Sequence, residues 1–407
     1  MSLLEKLLSE LCPEGVPFKT LGEIGFFYGG LSGKSKEDFR NGNEKFITYM
    51  NIYSNIEVSL DIPDRVQIGA DEKQNTVEYG DVLFTASSET QDECGISSVL
   101  TTQTREKLYL NSFCFGFRLH DPTLLLPGFS KYLFRSTELR QQLTRTASGV
   151  TRFNVSKKKM EKVKIPLPPL PVQREIVQIL DNFTLLTAEL TAELTAELTA
   201  RKKQYEYYRD QLLTFDECQN ITGGGNRQDW VCLRDIAEIG TGSSNTNEEL
   251  EVGDYPFFVR SQEVRRKNTF EFDETAIITS GDGVGVGKIY HFVQGKYALH
   301  QRAYRIHITD PRINPKYYFY YMKCNFLPYI ERNSFHSSVT SIRRPMLEKF
   351  PIPVLSLEEQ ARIVSILDRF DALCNDLTSG LPAEIEARRK QYEYYRDKLL
   401  TFQEMDS

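Results

Sequence analysis

A chain of 407 residues has room for two or three cores. It holds no run of 18 apolar residues, which excludes a helix long and greasy enough to span a membrane. The net charge of −6 argues, taken alone, mildly against a nucleic-acid partner, and seven cysteines with no close pair fit reduced thiols in a cytoplasm.

In chain order, the N-terminus carries an acid and no signal-peptide pattern, and its leucines at 3, 4, 7, 8 and 11 predict a short amphipathic helix. Strand-like runs follow at 46–49, 82–86 and 112–119, then a helical run at 129–144. From 173 the apolar residues fall at spacings of three and four out to 215, the seam of a helix that packs on another helix. Forty-three such residues would span about 65 Å. Within that segment Thr-Ala-Glu-Leu occurs three times without interruption at 187–198. Each copy adds about 6 Å of helix, against about 3.4 Å per base pair of a duplex. The repeat, with Leu190, Leu194 and Leu198 on its seam, is therefore predicted to be a discrete spacer. The second half brings strand-like runs at 256–259, 276–279 and 303–308, then a helical run at 315–331 whose aromatic residues at 317–321 are expected in the core.

The two halves are copies. Residues 173–215 and 360–402 align without a gap at an offset of 187, with 27 identities in 43 positions. Outside them, Leu21-Gly22-Glu23-Ile24 parallels Leu233-Arg234-Asp235-Ile236, Glu161-Lys162 parallels Glu348-Lys349, and Val150-Thr151-Arg152 is set against Val339-Thr340-Ser341. A repeat of this length means duplicated domains. The expected fold is α/β (α+β): two head domains separated by two long antiparallel coiled-coil helices related by a pseudo-two-fold. The boundaries read as 1–165, 166–218, 219–352 and 353–407. Gly380 and Pro382 interrupt the second helical segment and predict a kink or break there.

Charge is distributed unevenly. Residues 127–165 carry +8 and 300–349 carry +6, leaving −20 on the remainder. A single basic stretch is usually a solvated face, but two at equivalent places fit localised contacts to a polyanion. The glycine-rich loop 280–288 is not a P-loop, because Asp282 stands where that motif needs glycine and Ile289 where it needs Ser or Thr. No amino-methyltransferase loop, nuclease core, helicase motif or metal spacing stands out. The near-identical ends at 201–210 and 388–397 sit on helix positions free to vary. Their agreement points to one partner bound twice, through Lys203, Glu206, Tyr207 and Arg209 and through Lys390, Glu393, Tyr394 and Arg396.

The Gln-x-x-Ile-Val-x-Ile-Leu-Asp starts at 173–181 and 360–368, the Arg-Lys-Gln-Tyr-Glu-Tyr-Tyr-Arg-Asp ends, the Ile-Pro-Leu-Pro-Pro-Leu-Pro stretch at 165–171 and the Thr-Ala-Glu-Leu repeats together resemble the specificity subunit of type I restriction–modification systems, with the repeats looking like the type IC group. The resemblance covers essentially the whole chain; the departures are its low overall positive charge and the interrupted second helix. It implies two target-recognition domains, each reading half of a split double-stranded DNA site. It also implies helices that set the spacer and dock two methyltransferase subunits, and motor-nuclease subunits in the full complex. It implies no cofactor in this chain, S-adenosylmethionine being bound by the methyltransferase partner. The candidate DNA readers are Lys34, Lys36, Asn51, Ser88, Arg118, Thr151, Arg152 and Asn154 in the first head. In the second they are Arg260, Ser261, Gln262, Lys288, His300, Gln301, Arg302, Ser338, Thr340 and Arg343. No catalytic or metal-binding residue is expected. The competing readings are a DNA methyltransferase in its own right and a scaffold without a nucleic-acid role.

Overall fold

The computed structural model describes residues 2–215, 229–333, 341–375 and 379–405. They form two compact units, one built from 1–192 with 386–407 and the other from 193–385.

In the first unit, Ser2 and Glu5 cap the helix Leu3–Leu11 reciprocally. A four-stranded sheet runs in the order Gly25–Gly29, Cys114–Leu119, Val82–Thr85, Ser97–Val99, all antiparallel. A second sheet pairs Glu44–Ile47 in parallel with Leu108–Leu110. The predicted helix 129–144 is two helices, Pro127–Leu133 and Thr137–Thr144, because Ser136 is extended between them. The long helix begins at Leu170 with Pro171 in its first turn, where a missing N–H costs nothing, and runs unbroken for 44 residues to Leu213. Its first part lies against the C-terminal helix Leu381–Leu400. Ile176, Leu180 and Leu400 share one core with the globule. Phe183 meets Tyr395 at 6.1 Å, and the Thr184 hydroxyl lies 2.9 Å from that of Tyr392. Numbers rise on one helix as they fall on the other, so the pair is antiparallel.

The second unit repeats this plan. Its six-stranded sheet runs Ala237–Thr241, Ala303–Ile308, Phe272–Ser280, Tyr290–Leu299, Tyr255–Phe258, Arg265–Lys267, and the Tyr255–Phe258 pairing with Tyr290–Leu299 is the parallel one. The helix Pro315–Arg332 buries Tyr317, Tyr318, Phe319, Tyr320 and Tyr321 as expected. Tyr205 and Leu213 of the long helix enter a core with Ile363 and Leu367 of the helix Leu357–Asn375. Phe370 packs on Tyr208 at 5.7 Å, the same residue pair as Phe183 and Tyr395 after the offset of 187. The predicted interruption is present: one helix ends at Asn375 and the next starts at Leu381, with Pro382 in its first turn.

The junction of globule and helix is built identically twice. Gln173 is fully buried; its Oε1 accepts the Leu126 N–H at 2.8 Å and its Nε2 donates to the carbonyls of Leu124 (2.9 Å) and Pro168 (2.8 Å). Gln360 accepts from Asn314 (2.7 Å) and donates to Arg312 (2.8 Å) and Leu355 (2.9 Å). Tyr132 donates to Asp181 at 2.7 Å, and Tyr320 to Asp368 at 2.5 Å. Removing either glutamine strands three backbone groups away from water. Gln173→Leu and Gln360→Leu are each expected to lower unfolding free energy by at least about 2–3 kcal/mol, read by urea titration.

Candidate nucleic-acid interface

In the first unit four chain segments meet beside the parallel strand pair. Asn111 donates its N–H to Ile47 O (3.0 Å), Ala86 to Phe113 O (3.0 Å), and Val155 to Ala86 O (2.9 Å). These bonds bring the start of helix Tyr49–Ser54, the turn 111–113, the loop after Thr85 and the segment 150–155 around an open cleft of about 520 Å³. Tyr49, Met50, Tyr53, Ser87, Ser88, Glu89, Glu93, Asn111, Phe113, Thr151 and Arg152 line it. Met50 and Phe113 are 59% and 60% exposed. Glu93 accepts from the hydroxyls of Tyr53 (2.7 Å), Thr90 (2.9 Å) and Ser88 (3.0 Å), and these bonds hold its carboxyl below the usual range. Arg152 reaches Ser87 Oγ at 3.1 Å and lies over the Phe113 ring.

Two half-buried arginines fasten these loops from behind. Arg135 donates to the carbonyls of Ser97, Ile52, Tyr53 and Asn55, and burial pulls its guanidinium down to about 10. Arg140 donates to those of Gly95, Asp92 and Cys94.

The second unit builds the same place with different side chains. His300 donates its N–H to Phe258 O (2.9 Å), Gly281 to Arg302 O (3.0 Å) and Ile342 to Gly281 O (2.8 Å). Asp282 takes Arg260 at 2.6 Å and Arg302 at 3.4 Å. His300 is buried; its Nδ1 accepts the Arg302 N–H at 3.0 Å, the service Asn111 Oδ1 performs for Phe113 at 2.8 Å. Burial first, then the Arg260 and Arg302 cations, lower the His300 pKa. Gln301 donates to Asn245 at 2.5 Å. Ser261 donates to Glu263 O, and its own carbonyl accepts from His291. Gln262, Lys288 and Arg343 are exposed. Gly283 and Gly287, at φ +82° and +68°, give the loop its turns.

The predicted residues therefore separate. Ser88, Thr151 and Arg152 converge in the first cleft, and Arg260, His300 and Arg302 around Asp282 in the second. Asn154 lies beside the first cleft, paired with Ser87, and Lys36 is exposed. Three others are taken up inside the first head. Lys34 donates to Glu72 and to Gln67 O, both at 2.6 Å, with its side chain 8% exposed. Asn51 ties Ser59 through both its amide atoms. Arg118 spends its guanidinium on Asp81, Glu78 and Thr76 O. Ser338 and Thr340 lie outside the described residues.

Two arguments from the sequence need correction. Neither basic stretch is one continuous face. Arg135 and Arg140 bind carbonyls, Lys131 pairs with Glu57 and Asp181, and Arg305 with Glu274. The alignment of Val150-Thr151-Arg152 with Val339-Thr340-Ser341 is also two residues out of register. Val155 and Ile342 make the matching bonds, and Ser341 pairs with Asp282 as Asn154 pairs with Ser87. The true offset here is 187, as in the helices. Tyr49, Met50, Phe113 and Asp282 were missed; Phe113 reads as part of a strand in sequence, whereas the strand starts at Cys114.

Along the helices, Leu190, Leu194 and Leu198 are half-buried. Tyr207 and Tyr394 are each 62% exposed, and each packs edge-on against its neighbour, Tyr208 or Tyr395. Lys203 and Lys390 are exposed, Glu206 is exposed and Glu393 half-buried. Arg209 and Arg396 pair with Asp210 and Asp397. Among the described residues no helix is long and apolar enough to cross a membrane.

Two heads with one backbone plan and unlike linings, each completed by a helix from the other repeat, define a paired recognition protein. The chain belongs to the family described as type I restriction modification DNA specificity domain, which matches residues 13–200 and again 228–387. It is 35% identical over 275 residues to the EcoR124I/EcoR124II specificity subunit of Escherichia coli, covering 61% of this chain and 65% of that one. Its fold is shared with a chain from a type I restriction–modification assembly (TM-score 0.69, 17% identity, 95% and 98% of the two chains). The HsdS subunit of Thermoanaerobacter tengcongensis also shares it (TM-score 0.56, 17% identity, 96% of each).

His300 ties the second cleft to pH. Its folded pKa lies below that of the unfolded chain, so acid favours unfolding. This loss starts as pH falls through about 6.5 and is complete below the depressed value. His300→Asn keeps an acceptor for Arg302 and removes the titration. Its unfolding free energy is expected to fall less than that of the native chain between pH 6.5 and 5, measured by denaturant titration.

Proposed function

We propose that each unit reads one half of a bipartite double-stranded DNA site, with the helices setting the distance between half-sites. The single observation that carries this is the pair of clefts built on the same hydrogen bonds and lined by different side chains. A duplicated frame with a divergent lining fits a protein that recognises two different sequences in one operation. The chain passes between its units twice, at 192/193 and 385/386, each time within a helix. The first crossing falls inside the Thr-Ala-Glu-Leu repeat, where an added or lost copy changes length without touching either core. Tyr207 and Tyr394, equally exposed and equally flanked, are the surfaces on which two identical methyltransferase subunits would dock. S-adenosylmethionine and the base chemistry belong to those partners, and the motor-nuclease subunits join them for cleavage. This chain contributes recognition and no catalytic step.

Removing residues 191–194 is expected to shorten the preferred spacer by about one to two base pairs and leave both half-sites unchanged, as read by methylome sequencing of a host carrying the altered complex. An unchanged spacer would end the ruler reading. The affinity of the assembled complex for DNA should fall linearly on a log–log plot as salt rises, and a flat gel-shift titration would end the DNA reading. Tyr207→Ala combined with Tyr394→Ala should abolish methyltransferase co-purification while leaving the melting temperature within a few degrees.

A further inference from the structure

The matching backbone bonds fix which residues of the two heads are equivalent. Asn111 N–H to Ile47 O matches His300 N–H to Phe258 O, Cys114 N–H to Asn111 O matches Ala303 N–H to His300 O, and Ala86 N–H to Phe113 O matches Gly281 N–H to Arg302 O. Phe113 and Arg302 therefore stand at one place, and Tyr49 and Arg260, each two residues beyond the first of those carbonyls, at another. Arginine on one head replaces an aromatic ring on the other, twice.

The two arginines differ from most others in their setting. Arg118, Arg135, Arg140 and Arg305 each give two or three nitrogens to internal acceptors. Arg260 and Arg302 each give Asp282 a single nitrogen and keep side chains 39% and 60% exposed. One carboxylate thus holds two guanidiniums near each other, leaves one positive charge uncancelled, and leaves most of their N–H groups unspent. A planar fork of donors fits the O6 and N7 acceptors of guanine in the major groove. The first cleft differs: Met50 and Phe113 are exposed, the acids Glu89 and Glu93 stand in the lining, and the lining's arginine, Arg152, lies over the Phe113 ring with a bond to Ser87 Oγ. Acids do not suit a phosphate, whereas an apolar rim fits the methyl group that thymine presents in the same groove.

We propose that the heads read opposite kinds of base pair at this shared place: guanine through Arg302 and Arg260 in the second unit, and thymine through Phe113 and Met50 in the first. This rests on the proposed reading of a bipartite site. Asp282 acts as a positioning residue for both forks.

The test reconstitutes the full chain with its methyltransferase partners, lets the complex methylate a random-sequence duplex library, and sequences the modified pool. Arg302→Ala and Arg302→Lys are both expected to relax one G·C position in one half-site by about ten- to a hundredfold, with the other half-site unchanged. Phe113→Ala should relax a T·A position in the opposite half-site. The lysine variant separates a fork reading a base from a cation holding a phosphate, and the untouched half-site reports that the variant has folded. Full selectivity retained by Arg302→Lys, a uniform loss across all sequences, or relaxation at an A·T pair would overturn the assignment. A native complex that selects no bipartite site would instead overturn the function on which it rests.

Discussion

Neither head closes its own core. Leu400 and the half-buried Phe402, from the end of the second repeat, pack among the apolar residues of the first head, and Tyr205 and Leu213, from the end of the first repeat, do so in the second. A buried leucine or tyrosine of this kind stabilises by about 1.5–3 kcal/mol. The Gln173 and Gln360 junctions then lock each globule to the start of its own helix. Every head thus depends on helices from both repeats, and everything that positions the clefts depends on that exchange.

Arginine serves two ends in this chain, and the difference is the supply of acceptors. Where carbonyls or carboxylates surround the guanidinium, as at Arg118 and Arg135, the side chain becomes a staple whose desolvation is offset by several hydrogen bonds. Where one carboxylate is shared, as at Asp282, the fork is oriented yet still open to another molecule.

Much of the architecture was legible in sequence because it rests on periodicity and duplication. The helices, their break before Pro382 and the buried Tyr317–Tyr321 run all follow from spacing, Pro chemistry and aromatic density. The hairpin strand Tyr290–Leu299, the longest among the described residues, was not read, since Gly295 at φ +93° interrupts its apolar pattern. The interface was legible only in part. Whether Lys34 or Arg118 is free depends on Glu72 and Asp81, which lie 38 and 37 residues away and were brought near by folding. Charge counts cannot distinguish a lysine facing solvent from one paired with a distant acid. The two-residue slip at 150–152 arose because three matching letters outweighed a constant offset; hydrogen bonds decide the register where letters mislead.

The fastening of the first cleft has a bearing on how such a surface changes over generations. Arg135 and Arg140 grip the loops through peptide oxygens, which every amino acid supplies alike. Residues on the outward side can be exchanged by mutation while the grip persists. A lineage can thus try new target sequences without first risking collapse of the scaffold that displays them.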